Sequence, residues 1–303
     1  MRHFVRVFVT RKTEKHHIMR QFCIGLIVLL AIASVEVFRS TCLLTASQYA
    51  VRSDKVIGAV RVVFLSDLHG REFGKDNARL LQRIAAERPD LIALVGDIFN
   101  SNADEDEIDR MCSFIGKAAE IAPVYYGLGN HEYGYLESHE TDLLGCIRQT
   151  GVTVVNNDYS DVEINGTPIR IGGYMGYYRR PFMTTADPAQ QESELAFADA
   201  FEDTDHFKLL LNHIPTGWLD WNYRDRYPVD LVLSGHYHGG LVRIPFLEQG
   251  VVAPYVGLFP PYSKGLFEGK EATCILTTGL AGSKLPRFFN PPEIAVVNIL
   301  PAE

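Results

Sequence analysis

The stretch "VDLVLSGHYHGG" at residues 229–240 runs from an apolar segment straight into two histidines one residue apart, in a chain with ten histidines altogether. The run Val229 to Leu233 reads as a buried strand, and strand alternation points His236 and His238 to the same side. Gly235, Gly239 and Gly240 leave the backbone free to bend closely around whatever the pair holds. Two imidazoles on one side of a strand end are half of a metal site, and the other half should lie elsewhere in the chain.

Four more strand ends carry matching chemistry. "FLSDLHG" (64–70) supplies Asp67 and His69, "LVGDIFN" (94–100) supplies Asp97, "YGLGNHE" (126–132) supplies Asn130 and His131, and "LLLNHIP" (209–215) supplies His213. Side chains at the carboxyl ends of neighbouring strands converge on one crevice. Asp67, His69, Asp97, Asn130, His213, His236 and His238 make seven candidate ligands, too many for one ion. Mixed carboxylate, amide and imidazole donors suit Mn, Fe, Zn or Ni rather than a thiolate-preferring ion. Two divalent metal ions sharing one bridging carboxylate is the economical reading, an arrangement that activates water and clamps a phosphoryl group.

The periodicity around these motifs predicts the fold. "VRVVFL" (60–65), "LIALV" (91–95) and "VYYGL" (124–128) are strand-like runs alternating with helical patterns at 77–88, 107–120 and 138–150. Such βαβ order implies a largely parallel sheet. Asn165-Gly166 marks a hairpin; a helix over about 188–202 and strands at 207–211 and 229–233 follow, before a tail of strands and Gly/Pro-rich loops. The expected fold class is α/β, a four-layer sandwich of two mixed β-sheets flanked by helices.

Residues 1–20 hold six basic side chains and one acid, leaving 23 basic and 36 acidic residues beyond them. A body that acidic excludes nucleic acid as a partner. After Arg20, Phe22 to Val35 carries no charge. Fourteen residues is short of the roughly 20 a membrane span needs and suits a signal peptide; "Ala-Ile-Ala" (31–33) has the form of a cleavage site. Signal-anchor, cleaved signal and buried core helix are the alternatives, and both membrane readings leave the N-terminus cytoplasmic and the body on the non-cytoplasmic side, anchored or exported. The expected organisation is a basic and apolar N-terminal segment (1–38), a linker (39–57) and one domain (58–303). Cys112, Cys146 and Cys274 form no paired framework and read as buried free thiols.

The parts "DLH", "GD", "GNHE", a lone histidine and "GHYH", in this order, resemble the calcineurin-like metallophosphoesterase superfamily over about residues 60–300. That resemblance implies that Asp67, His69, Asp97 and His238 hold one metal, and Asp97, Asn130, His213 and His236 the other. It also implies a bridging hydroxide as nucleophile, His131 as proton donor to the leaving oxygen and Glu132 as the group orienting His131. The "GLFPPYSKG" loop (257–265), the ending "TTGLAGSKLPRFFNPPEI" (277–294) and the basic-apolar N-terminus resemble the membrane-associated or exported bacterial members. Some of those relatives hydrolyse the pyrophosphate of UDP-2,3-diacylglucosamine.

The implied function is hydrolysis of a phosphate ester or pyrophosphate, on a lipid or on soluble nucleotides or phosphoproteins. A non-catalytic binding protein on the same fold is the reading from another class. Arg179 and Arg180 can fork onto a substrate phosphate or sit as a solvated pair. Phe259 to Tyr262 is either a structural loop or the wall of a lipid-facing groove. Tyr237 is read as packing, and His3, His16, His17, His139 and His206 as solvated.

Overall fold

The computed structural model describes residues 2–179, 187–254, 256–281 and 287–302. A helix α1 (Arg2–Cys42) leads into β1 (Thr45–Ser53), and then strands and helices alternate: β2 (Val60–Leu65), α2 (Ala78–Ala86), β3 (Leu91–Val95), α3 (Glu105–Ala119), β4 (Val124–Gly127), α4 (Asn130–Ser138), α5 (Leu143–Gln149) and β5 (Thr153–Val155). The second half holds β6 (Asp158–Ile164), β7 (Thr167–Tyr174), α6 (Pro188–Glu202), β8 (Phe207–Asn212), α7 (Thr216–Leu219) and β9 (Leu231–Ser234). Two small hairpins follow, β10 (Arg243–Ile244) with β11 (Gln249–Gly250) and β12 (Val252–Ala253) with β13 (Gly257–Leu258), then β14 (Gly265–Glu268), β15 (Thr273–Leu276) and β16 (Glu293–Pro301).

Two six-stranded mixed sheets result, in the orders β1-β16-β2-β3-β4-β5 and β14-β15-β9-β8-β7-β6. Alternation along each strand builds three apolar layers between four structural ones. In β2, Val63 and Leu65 face the helices, packing with Leu80, Ile84, Met111, Phe114 and Ile147. Val62 and Phe64 face the other way, meeting Ile169, Leu209, Leu211 and Leu233 of the second sheet. On the far side of that sheet Leu210 and Val232 pack with Phe197, Phe201 and Trp218. The four-layer sandwich expected from the sequence is what forms, and the Asn165-Gly166 hairpin joins β6 to β7 in antiparallel register.

Four expectations need correction. The 138–150 helix is α4 followed by α5, because Asp142 caps a new helix by accepting from Gly145 N at 2.8 Å. Residues 39–57 are not a linker: β1 lies in parallel register with β16 over nine residue pairs, from Thr45 with Glu293 to Ser53 with Pro301, and Val51 is buried. The apolar N-terminal stretch is longer than fourteen residues, since a helix long and apolar enough to cross a membrane spans Met19–Cys42. Glu36 does not interrupt it: the carboxylate accepts from Arg39 and Ser40 one turn on. Side chains from Phe22 to Val35 are exposed apart from half-buried Ala33, which removes the core-helix alternative. Finally, all five cysteines are free but only Cys274 is buried; Cys112 and Cys146 meet half-buried between α3 and α5.

Deleting residues 1–53 strips β1 from β16 and is expected to lower the melting temperature by several degrees relative to deleting residues 1–34. Equal melting temperatures would show that β1 adds nothing.

Candidate metal centre

Every expected ligand sits in the first residues beyond a strand: Asp67 and His69 after β2, Asp97 after β3, Asn130 after β4, His213 after β8, and His236 and His238 after β9. The first three strands belong to one sheet and the last two to the other, so the cluster closes the seam between both sheets rather than a crevice in one. Strand alternation does not place the histidine pair. β9 stops at Ser234, and His236 and His238 take left-handed backbone, at φ 68° and 48°.

Asp67, His69 and Asp97 are left-handed as well, at φ 57°, 49° and 55°. Each such residue costs about 1–2 kcal/mol of backbone strain, although Asp and His tolerate it better than most. A reversal immediately after the strand turns the side chain back over the strand end. Glycines permit the crowding that follows: a Cβ at Gly235 would fall 2.4 Å from Asp67 Oδ2, and one at Gly129 would fall 2.2 Å from Asp97 Oδ1.

The donors fall into overlapping triads, Asp67-His69-His238, His69-Asp97-His131 and Asp97-His213-His236, with donor atoms within 4.8 Å of one another in each. Asp97 lies between the two sides. Its Oδ2 is 3.1 Å from His213 Nε2, 3.8 Å from His69 Nε2 and 4.0 Å from His131 Nε2. On the other side His238 Nε2 is 3.6 Å from Asp67 Oδ1. Backbone carbonyls fix which nitrogen faces inward: His213 Nδ1 donates to Val95 O at 2.8 Å and His238 Nδ1 to Ala281 O at 3.1 Å, so each presents Nε2.

This donor set fits two divalent cations. Asp67 and Asp97 are buried, and among the described residues no Lys or Arg forms an ion pair with either. Buried carboxylates need a counter-charge. Asn130 Oδ1 is buried without a hydrogen-bond donor, and His213 Nε2, though close to Asp97, lacks the alignment of a hydrogen bond. Oxygen and imidazole nitrogen, with no thiolate present, is the chemistry expected of Mn, Fe, Zn or Ni.

Burial pushes the His69 imidazole down to about 4 and that of His236 down to about 3, so both are neutral and ready to ligate at neutral pH. Burial also disfavours charge on His213, but Asp97 and Asp67 beside it win and hold it up at about 10. Asp97 and Asp67 are themselves held below the carboxylate range: burial opposes this, and the surrounding imidazoles outweigh it.

Glu132 plays a part other than the expected one. Its carboxylate makes no bond to the His131 ring; it accepts from the backbone N–H of Asp97, Ile98, Phe99 and Gly129 and from the Tyr126 hydroxyl, at 2.8–3.1 Å. It therefore fixes the turn that carries Asp97. His131 is held by others: its N–H donates to Asp97 Oδ1 at 2.8 Å, and its Nδ1 accepts from Ser101 N at 3.2 Å.

Arg179 is not turned to the cluster, because its guanidinium is paired with Asp199 at 2.7 Å and Glu202 at 2.9 Å on α6. Arg180 lies outside the described residues. Tyr237 is buried, bonded to Asp220 and Thr216; His139 stacks on Tyr135 and His206 lies 3.4 Å from Asp161, both away from the cluster. Sequence reading missed Arg287 and Asn290. Buried Arg287 donates to the carbonyls of Thr278, Gly279, Ala281, Asn290 and Pro291, and Asn290 Nδ2 donates to His238 O at 2.7 Å. No spacing rule flags an arginine whose partners are all main-chain.

Because a bound imidazole cannot keep its ligating proton, metal binding at pH 8, below the His213 value, should release about one proton per chain. Titration calorimetry with Mn in two buffers of different ionisation enthalpy checks this. Buffer-independent heats would mean that His213 is neutral beforehand.

The chain is similar to known proteins over most of its length. The chain is 28% identical over 253 residues to an uncharacterized metallophosphoesterase of Campylobacter jejuni, covering 79% of this chain and 59% of that one. It thus spans about three-fifths of that relative's length. It is 23% identical over 279 residues to the UDP-2,3-diacylglucosamine pyrophosphatase LpxG of Chlamydia muridarum, covering 80% and 84%. The solved structure of TT1561, a Thermus thermophilus protein, superposes at a TM-score of 0.46 with 13% identity, over 73% of this chain and 90% of that one. Residues 60–240, more than half of the chain, match the calcineurin-like phosphoesterase family model, and the chain belongs to that family.

Proposed function

We propose that this chain hydrolyses a phosphate ester or pyrophosphate with the help of two divalent cations. The observation that carries the reading is the position of the Asp97 carboxylate, shared between the His69 side and the His213-His236 side of the cluster. Asp67, His69, Asp97 and His238 would hold one ion, and Asp97, Asn130, His213 and His236 the other. Bound there, the ions would supply a water acidified to near neutrality and a positive clamp for the charge that develops on phosphorus oxygens.

The remaining chemistry belongs to the chain. His131 has a side chain 34% exposed, against 11% for His69, so it is the imidazole most open to a substrate. The Ser101 N–H occupies Nδ1, which leaves the proton of neutral His131 on Nε2. That Nε2–H would hydrogen-bond a departing alkoxide or phosphate oxygen and pass it a proton, the ring taking one back from water as it does so. Glu132 acts at one remove, holding the Asp97 turn from which His131 is in turn hung.

A lipid-borne substrate is favoured over soluble nucleotides or phosphoproteins by two observations. The named LpxG relative is a UDP-2,3-diacylglucosamine pyrophosphatase, and α1 carries an exposed apolar stretch of membrane-spanning length. With six basic residues up to Arg20, at the start of that stretch, the body would stand on the non-cytoplasmic side.

Substituting His131→Ala should lower kcat for bis(p-nitrophenyl) phosphate by about 10²- to 10⁴-fold, the usual worth of a general acid, while elemental analysis finds unchanged metal content. Lost metal with unaltered residual turnover would contradict the proton-donor role. Hydrolysis of UDP-2,3-diacylglucosamine in mixed micelles should exceed that of UDP-glucose; the reverse order would favour soluble nucleotides.

A further inference from the structure

The two hairpins that follow His238 carry their largest apolar side chains outward. Phe246 is fully exposed, and Leu247, Leu258 and Phe259 keep 70, 72 and 59% of their surface. Phe246 and Phe259 do so from left-handed backbone, at φ 68° and 51°, a conformation that bulky residues rarely adopt. The Phe246-Leu247 turn between β10 and β11 and the Leu258-Phe259 segment at the end of β13 are joined through β11 and its flank: Phe259 N donates to Val251 O at 2.7 Å and Gln249 Nε2 to Pro260 O at 2.8 Å. Exposed phenylalanine and leucine, clustered and held by strained turns, gain nothing from water.

The patch is tied to the end of α1. Val242 bridges to Phe288, and Arg243 N donates to Phe288 O. The next residues meet the helix directly: Phe289 N donates to Glu36 Oε1 at 3.0 Å, and Asn290 N to Ser40 Oγ at 3.1 Å. Arg71 and Arg79 donate to the last helical carbonyls, of Thr41 and Cys42. The helix therefore leaves the body through a bonded joint, beside the exposed patch.

We propose that the Phe246-Leu247 turn and the adjoining Leu258-Phe259 segment insert into the surface of the bilayer that α1 spans, as a second anchor. This rests on the membrane reading of α1 given above. One helix fixes the body to a membrane but leaves it free to swivel; a second apolar contact sets which face looks at the lipid. Gly240 packs against Gly250 of β11, and Val251 N donates to Gly240 O, so the inserted hairpins continue directly from the His238 loop. The metal crevice is thereby held open toward the bilayer surface.

The full-length protein in phosphatidylcholine-phosphatidylglycerol nanodiscs, with lipids brominated close to the headgroup, tests the arrangement through single tryptophans. Phe246→Trp and Phe259→Trp should be quenched strongly above the native background, and Glu163→Trp, on the distant β6 edge, should not. Leu29→Trp, within α1, reports the span itself with chain-centre bromolipids. Quenching at position 29 with positions 246 and 259 no more quenched than position 163 overturns the second anchor; absent quenching at position 29 overturns the membrane reading and the second anchor together. Neither result depends on turnover, so both stand apart from the hydrolase assignment.

Discussion

The seam between the two sheets is the constraint on which the site depends. His213, from the second sheet, donates its Nδ1 proton to Val95 O in the first, and His236 N, beyond β9 of the second, donates to both oxygens of Asp67 at 3.1 Å. Apolar packing between the sheets is strong but non-directional and permits sliding. These polar bonds at one end fix the offset, and with it the distance between Asp97 and His213. A shift of even an ångström there would separate the donors expected to hold a second ion from those expected to hold the first.

The same seam concentrates unfavourable terms. Two buried carboxylates, five closely spaced imidazoles and five candidate donor residues in left-handed backbone each oppose folding. Compensation comes from groups that take no part in ligation. Glu132 collects five hydrogen bonds beneath the Asp97 turn, Arg287 binds five carbonyls around the 278–291 loop, and the apolar layers on both sides are dense. Divalent ions would complete the balance, since any ligand that binds the native state alone adds to stability.

The bracing extends to α1. Ser40 bonds Asn290, Asn290 bonds the His238 carbonyl, and Arg71, two residues beyond His69, bonds the final turn of the helix. Both halves of the Asp67-His69-His238 triad are thus coupled to the helix end through one or two hydrogen bonds. The N-terminal segment is mechanically part of the site, and its orientation and that of the crevice are set together.

The sequence by itself determined the layer architecture and the candidate donors that gather at the strand ends. Period-2 and period-3.6 patterns declare strands and helices locally, and short motifs such as "GDIFN" and "GNHE" keep their donors within a few residues of a strand end. It also held β1, but a half-exposed edge strand with one buried valine shows too little alternation to be read. Only the tertiary structure decided that the donors come from two sheets, that Glu132 serves Asp97 rather than His131, and that Arg179 is taken up by Asp199 and Glu202. It alone decided that His236 and His238 face inward through left-handed turns instead of strand alternation. The physical reason is common to all of these: a side chain's partner, and the hand of a turn, follow from what lies across a packed interface, and residues beyond the reach of one helix or strand leave no periodic trace of one another in the chain.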